Sequence, residues 1–334
     1  MFTKLTAPHS EAEIKKHWKY VDKVYISILC PCFNQENYIR DAIESFLAQE
    51  CEYRFELIVH DDASTDSTPE ILKIYQAKFP TIIKLVLQEE NQYSQGKQIS
   101  AIAASHAQGI YLALCEGDDF WIHSYKIQKQ VTYLLADSSL SLVHTGSFDL
   151  IENTGEITTS FVPSPINTTK SLFNRNRIRT LTTMFPKKHF DDFYLQNGEE
   201  ASKWLLGDWP LWIYFSTVGK IAHIPDITSV YRILPNSASN FTNIKKKERF
   251  INSTFYMRLY MCKKYSASSS YRSYIDDIYK SYARQCLAHG ILFPKEYVDK
   301  LGFLYKVLVF SNKIGIVQNF LILRTWLRSC LPFS

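Results

Sequence analysis

The chain lacks several things that would have placed it at once. No stretch reaches the roughly 18 uninterrupted apolar residues of a membrane span. Neither a GxGxxG turn nor a Walker loop is present, so phosphates are not cradled on a glycine-rich nest of backbone amides. The seven cysteines (Cys30, Cys32, Cys51, Cys115, Cys262, Cys286, Cys330) are odd in number and include no CxxC pair, which argues against a disulfide framework and a zinc site. The opening Met1-Phe2-Thr3-Lys4-Leu5 has no apolar core of the kind a secretion signal needs, and a cytoplasmic, reduced protein is expected. No internal repeat is visible. The basic residues are scattered; the densest cluster, Lys245-Lys246-Lys247 with Arg249, reads as a solvated helix face, and a nucleic-acid partner is not expected.

What remains is an ordinary globular composition. Of 334 residues, 46% are hydrophobic and 21% charged, with a net charge of +5, enough apolar mass for a large core in one large domain with an appendage, or two. Aromatic residues reach 14%, many of them tyrosine, which suits a sugar-contacting surface and plain packing equally.

Two acidic pairs each follow a strongly apolar, strand-like run. Asp61-Asp62 ends Phe55 to His60, and Asp118-Asp119 follows Ile110 to Gly117. In an open α/β sheet, ligands sit beyond the carboxyl ends of the parallel strands. Carboxylates converging there repel one another and resist burial, so they need a cation or donor groups. A divalent metal carrying a phosphate-containing ligand meets that need; a pair of solvated, helix-capping turns is the alternative.

The surrounding pattern alternates strands and helices. A strand over Val24 to Cys30 stops at Pro31, Phe33-Asn34-Gln35 forms a loop, and a helix is expected from about Glu36 to Gln49. The strand Phe55–His60 leads through Asp61 to Ser67 into a helix with Thr68 as cap and Pro69 at its first position. Strand Ile82–Leu87, helix Ile99–Ala107, strand Ile110–Cys115 and a helix marked by Ile127, Val131, Leu134 and Leu135 follow, as right-handed βαβ units require. Beyond Ser141 the pattern loosens. Leu142-Val143-His144 reads as a strand and 152–179 as a mobile loop. Residues 204–217 read as an aromatic-rich helix, Ala222–Ile224 and Ser229–Arg232 as short strands, and the chain from Lys245 as helical. The fold class is therefore α/β with a mostly parallel sheet and a C-terminal helical extension. The expected divisions are 1–22 as an N-terminal extension, 23–240 as the main domain and 241–334 as the helical region.

Five segments taken together carry a resemblance: Ile28 to Glu36, Glu56 to Thr68 with its HDDASTDST core, Tyr111 to Trp121, Gly207-Asp208-Trp209, and Val230-Tyr231-Arg232. They resemble family 2 of the inverting glycosyltransferases, which have the GT-A fold, over about residues 23–238. The resemblance implies that Pro31, Phe33 and Asn34 lie where the first strand opens onto the nucleotide. It implies that Asp62 hydrogen-bonds the base edge while Asp61 supports the same loop. Glu116-Gly117-Asp118 stands at the family's DxD position, with Asp118 similar to the carboxylate that ligates Mn²⁺ or Mg²⁺ and Glu116 and Gly117 beside the donor nucleotide. Glu116 departs from the usual first Asp, leaving open whether it touches ribose, metal or water. Asp208 resembles the general base. The QxxRW motif of processive synthases is absent, which favours addition of one sugar at a time.

These roles suit the residue types. A metal on Asp118 neutralises the charge that grows on a departing diphosphate. A carboxylate at Asp208, beside Trp204, Trp209 and Trp212, is placed to have its pKa raised by desolvation. Other readings stand alongside. Asp208 also fits a helix cap, Asp66 a loop and cap residue, and His60 and His223 structural positions. The tryptophans, Trp209 included, fit either packing or acceptor stacking; Arg232 fits a phosphate contact or a surface salt bridge, and Asp119 is a further candidate site residue. The stretch 303–333 suits an interfacial helix on an anionic membrane, or one packed on the protein or a partner. The expected function is transfer of a sugar from a nucleotide-sugar donor, UDP-linked by preference, to a saccharide or lipid-linked saccharide acceptor. A nucleotidyltransferase would show a glycine- and basic-rich triphosphate loop after the first strand, which Cys30 to Gln35 is not. A non-catalytic carbohydrate-binding protein would have lost Asp118 or Asp208, and both are present.

Overall fold

The chain is represented by a computed structural model in which residues 2–161, 168–234, 243–301 and 306 are described. Residues 1–172 with 176–240 form one compact unit, and 173–175 with 241–334 form another.

The first unit is built on a nine-stranded sheet in the order β3-β2-β1-β4-β8-β6-β9-β5, with β7 attached to β6. A short helix α1 (Glu11–Lys15) precedes β1 (Ile26–Cys32), α2 (Ile39–Leu47), β2 (Phe55–Asp61), α3 (Thr68–Lys78), β3 (Ile83–Leu87), α4 (Ile99–Ser105) and β4 (Tyr111–Leu114). β1 and β2 are buried along nearly their whole lengths, which is why their sequences read as continuous apolar runs rather than alternating ones. α2 lays Ile39, Ala42, Ile43, Phe46 and Leu47 into the core at helical spacing. α3 starts one residue earlier than expected: Thr68 is already helical, and Asp66, not Thr68, accepts the first free amide, from Thr68 itself at 3.0 Å.

Beyond β4 the sheet becomes mixed. β5 (Phe120–Trp121), α5 (Lys126–Ala136), β6 (Leu140–Ile151), β7 (Glu156–Phe161), α6 (Thr169–Asn174), β8 (Thr183–Pro186), α7 (Lys187–Ala201), α8 (Asp208–Val218) and β9 (Lys220–Ile233) complete the series. β8 pairs antiparallel with both β4 and β6, and the long β6 and β9 run parallel with shifts in register near Gly146. The parallel half therefore ends at β4, and an antiparallel strand joins it to the rest. Two sequence expectations change. The segment 152–179 holds a strand and a helix in place of a uniform loop, although 162–167 lie outside the described residues. Ala222–Ile224 and Ser229–Arg232 belong to one strand, β9, which continues through Pro225 beside the shifted register of β6.

Register brings the functional segments together. Cys32 pairs with Asp61, so β1 and β2 finish level, while β4 ends at Leu114 beside Leu29 and its loop continues along β1; all three release their loops at the same end of the sheet.

The second unit contains α9 (Ile244–Tyr265) and α10 (Ser268–Ala288). Phe255 stacks on Tyr282 with ring centroids 3.9 Å apart, and Tyr279 and Tyr297 close around Phe255. Within the same unit the buried Arg258 donates to the Ser281 hydroxyl at 3.1 Å. The segment 303–333 lies outside the described residues except for Lys306. No helix among the described residues is long and apolar enough to cross a membrane.

Candidate active site

The loops at the sheet edge are stitched together by backbone. The amide of Gly117 donates to the Pro31 carbonyl at 3.0 Å, and that of Asp62 to the Cys32 carbonyl at 3.0 Å. Gly117 has no room for a side chain: a Cβ there would stand 2.4 Å from the Gln35 amide oxygen, 2.7 Å from Ile39 and 2.9 Å from the Cys32 Cβ. Asn34 and Ala63 both adopt left-handed backbone angles, φ 52° and 63°. Asparagine tolerates that conformation better than most residues, and Asn34 is held across to the acidic loop, donating its backbone amide to the Ser64 hydroxyl and accepting from the Thr65 amide, each at 2.8 Å. Ala63 has no such compensation of its own, so the acidic loop around it holds it in place. Phe33 leaves 45% of its surface exposed beside this loop.

The first acidic pair is buried and divides its labour. Asp61 accepts from the Ser64 amide at 3.0 Å and hydroxyl at 2.5 Å, bracing its own loop. Asp62 accepts from the amides of Gln92 at 2.7 Å and Tyr93 at 3.0 Å, one on each oxygen, and so carries the polar segment 88–98. Each carboxylate oxygen retains a lone pair for a further donor.

The second cluster is more strained. Burial pushes the Glu116 carboxyl up to about 8, with the charges of Asp118 and Asp208 adding to the rise. Burial likewise raises Asp118, and raises Asp119 well above the carboxylate range with Asp118 and Glu116 pressing in the same direction. The Gln35 side chain donates to Asp118, and the Thr180 hydroxyl to Glu116. Arg232 sits behind the loop, not on the surface, so a surface salt bridge is ruled out as its setting: its residue is 3% exposed. Its guanidinium binds Asp41, Glu152 (3.1 Å) and the Asp118 carbonyl (2.7 Å), between the rings of Tyr38 and Phe120. Its amide donates to Asp119 at 2.8 Å.

Asp208 opens α8 after Gly207. Gly207, not Asp208, is the helix cap; one Asp208 carboxylate oxygen accepts from the Trp209 amide at 2.7 Å and the other from the Asn176 side chain at 2.9 Å. Burial raises its pKa above the usual value, although these donors oppose the rise. Trp204, Trp209 and Trp212 are all buried, and Trp209 donates its indole N–H to the Leu172 carbonyl at 2.7 Å. The burial of Trp209 supports its packing reading.

Residues 27–190 match the family model for glycosyl transferase family 2. The domain belongs to that family. An E. coli relative, UDP-Glc:alpha-D-GlcNAc-diphosphoundecaprenol beta-1,3-glucosyltransferase, is 29% identical over 186 residues, covering 52% of this chain and 69% of its own. Uncharacterized mycobacterial relatives are 33% identical over 211 residues, 62% of this chain, and the match spans only 58% of their length. Among solved structures, S. aureus TarS with UDP-GlcNAc superposes with a TM-score of 0.62 at 13% identity, covering 93% of both chains. The mannosyltransferase PcManGT from Pyrobaculum calidifontis, in complex with GDP-Man and Mn²⁺, gives 0.55 at 13% identity over 94% of this chain and 88% of its own. At that identity the likeness establishes the GT-A fold.

The donor set of this family 2 domain fits a divalent cation in one specific way. Among the described residues no three acidic, imidazole or thiol groups are gathered so as to hold an ion by themselves. A hard cation that takes one or two protein carboxylates and completes its shell with phosphate and water suits that arrangement. The crowding around Asp118 is an electrostatic reason for such a cation to bind. Three contributors escaped sequence reasoning: Gln35, Asn176 and Thr180. Gln35 and Asn176 lie in loops and Thr180 opens a single 3-10 turn, with no periodicity to reveal any of them.

Proposed function

We propose that the chain is an inverting, metal-assisted glycosyltransferase that adds single sugars from a nucleotide-sugar donor to a saccharide or lipid-linked saccharide acceptor. A UDP-sugar is the favoured donor. The observation that carries the reading is the desolvated Asp208 carboxylate at the same sheet edge as the acidic Glu116–Asp119 loop and the Asp62 loop. The E. coli relative's printed substrates, UDP-Glc and a diphosphoundecaprenol-linked sugar, support the donor and acceptor classes. Contact of the chain with a membrane through 303–333 belongs to the same proposal.

In this mechanism Asp62 accepts a hydrogen bond from the base, and Phe33, Pro31 and Asn34 border it. Glu116 and Gly117 line the donor side. A divalent cation held by Asp118 would supply positive charge to the diphosphate. Asp208 takes the proton of an acceptor hydroxyl. The freed oxygen pair forms a bond to the anomeric carbon as the bond from that carbon to the diphosphate oxygen breaks, and the electron pair leaves with the nucleoside diphosphate. A single displacement inverts the anomeric centre. Burial raises the pKa of Asp208, and a raised pKa makes its carboxylate a better base.

The test is a screen of nucleotide sugars with and without Mn²⁺, measuring released nucleotide for wild type and Asp208→Asn. A metal-stimulated donor, with turnover falling about 10²–10⁴-fold in the variant and UDP affinity little changed, is expected. Release by the variant at the wild-type rate would place the base elsewhere, and no release or nucleotide binding with any donor would sink the reading.

A further inference from the structure

The segment from Asn176 to Thr182 runs between the two acidic regions and supplies a neutral donor to each. The Asn176 side-chain amide reaches Asp208 at 2.9 Å, and the Thr180 hydroxyl reaches Glu116. The segment is firmly anchored. Arg179 forks onto the Asp149 carboxylate, bonds the Ser147 hydroxyl at 3.1 Å and covers the Tyr231 ring at 4.7 Å. The Trp121 indole holds the Leu181 carbonyl at 2.9 Å, and the Gln130 amide holds the Thr182 carbonyl at 2.8 Å. Asn176 is itself oriented, because its side-chain oxygen accepts from the Ile178 amide at 3.2 Å and so turns the NH₂ group toward Asp208.

We infer that Asn176 is the positioning residue of Asp208, a fixed neutral donor that holds one carboxylate oxygen and favours its ionised form beside other carboxylates. The functional part of this inference rests on the reading of Asp208 as the base. The electrostatic surroundings make such a donor necessary. Glu116 faces Asp208 from the loop after β4, with Asp118 next to it, and the Tyr194 phenol faces it from α7. None of these groups can favour a second negative charge. A lysine or arginine in place of Asn176 would neutralise the base; an amide stabilises the anion and still leaves it free to take a proton. The companion oxygen is held by the Trp209 amide, so the carboxylate plane is fixed from two directions.

The experiment follows the ¹³Cγ resonance of Asp208 through a pH titration, the resonance being assigned by its loss in Asp208→Asn. Asn176→Asp keeps the oxygen that accepts from Ile178 but exchanges the donor for a carboxylate; Asn176→Ala removes the donor without adding charge. Both variants should titrate upward of wild type, by about one to two pH units for a hydrogen bond to a charged group. In any nucleotide sugar that wild type turns over, the acid limb of kcat should move by the same amount, with KM for the donor little altered. Circular dichroism confirms that each variant is folded, and Asn176→Ala carries the test if Asn176→Asp is not. An unchanged Asp208 midpoint in a folded variant overturns the inference. If the midpoint moves but Asp208→Asn retains wild-type turnover, the contact is real and the base assignment is what fails.

Discussion

Replacing Arg232 with methionine should be among the most damaging single changes outside the reacting groups. The arginine side chain is 2% exposed, while its partners Asp41 and Glu152 are 24% and 33% exposed. Removing one member of a buried ion pair costs about 3–5 kcal/mol, because the remaining charge stays desolvated. Here the carboxylates keep some access to water, so the lower end applies, about 3 kcal/mol. Loss of ring contacts with Tyr38 and Phe120 acts in the same direction, though methionine recovers part of the packing. For a domain of this size the change corresponds to roughly 6–12 °C in melting temperature.

The effect should reach the site. Arg232 holds the Asp118 carbonyl and its charge lowers the pKa of both Asp118 and Asp119. Without it both carboxyls protonate more readily, so Mn²⁺-dependent UDP binding should weaken more at pH 6 than at pH 8. Urea unfolding and calorimetry at the two pH values test this. Arg232→Lys keeps the charge but cannot serve Asp41, Glu152 and a carbonyl in one plane, and should fall between. A loss under about 1 kcal/mol, the range of an exposed pair, with unchanged nucleotide binding, would refute the argument.

Asp62→Ala should weaken UDP binding by roughly 1.5–3 kcal/mol and also free the amides of Gln92 and Tyr93, seen as faster hydrogen exchange there; equal UDP affinity would restrict Asp62 to holding that segment. Gly117→Ala should destabilise the domain by about 1–3 kcal/mol, since Cys32 and Ile39 must move, and a wild-type urea midpoint would contradict the close approach. His144 is fully buried against His223, and burial brings its pKa down from 6.5 to about 3. The folded state therefore refuses a proton that the unfolded chain accepts below pH 6.5, and stability falls by roughly 1.4 kcal/mol per unit as pH drops from 6.5 toward 3. His144→Gln should flatten that slope in unfolding measurements, and an unchanged slope would mean that other groups govern acid unfolding.

The parallel half of the sheet was legible because burial on both faces leaves a continuous apolar signature. Val24 to Cys30 and Phe55 to His60 could hardly be anything else, and the acidic pairs that follow them appeared as abrupt changes of polarity. The second half was harder. β9 reads as two short strands because Pro225 and Asp226 interrupt its apolar run, and only the shifted pairing with β6 allows the strand to continue. α7 buries Phe190, Phe193, Asn197 and Ala201 at helical spacing, but the asparagine breaks the apolar stripe that would have announced the helix. Arg232 was visible as a residue but left open between a phosphate contact and a surface salt bridge, because its burial depends on Asp41 and Glu152, which are distant in sequence. Asp208 stood out beside the tryptophans, whereas Asn176, which orients it, lies in a stretch of polar residues where one asparagine resembles the next.

The site's charge balance explains which residue types could occupy these positions. The groups that meet the acidic side chains directly are amides, hydroxyls and backbone N–H groups: Gln35 at Asp118, Thr180 at Glu116, Asn176 and the Trp209 amide at Asp208, and the Gln92 and Tyr93 amides at Asp62. The arginine of the cluster approaches from behind and spends its hydrogen bonds on Asp41, Glu152 and the Asp118 carbonyl. Had it faced the carboxylates, it would have paired with them, and neither a cation nor a proton could have competed. Held by neutral donors instead, Glu116, Asp118 and Asp208 are not neutralised by a fixed cation, and burial keeps their pKa values raised. Such a cluster remains attractive to a divalent ion on one side and to an acceptor's proton on the other.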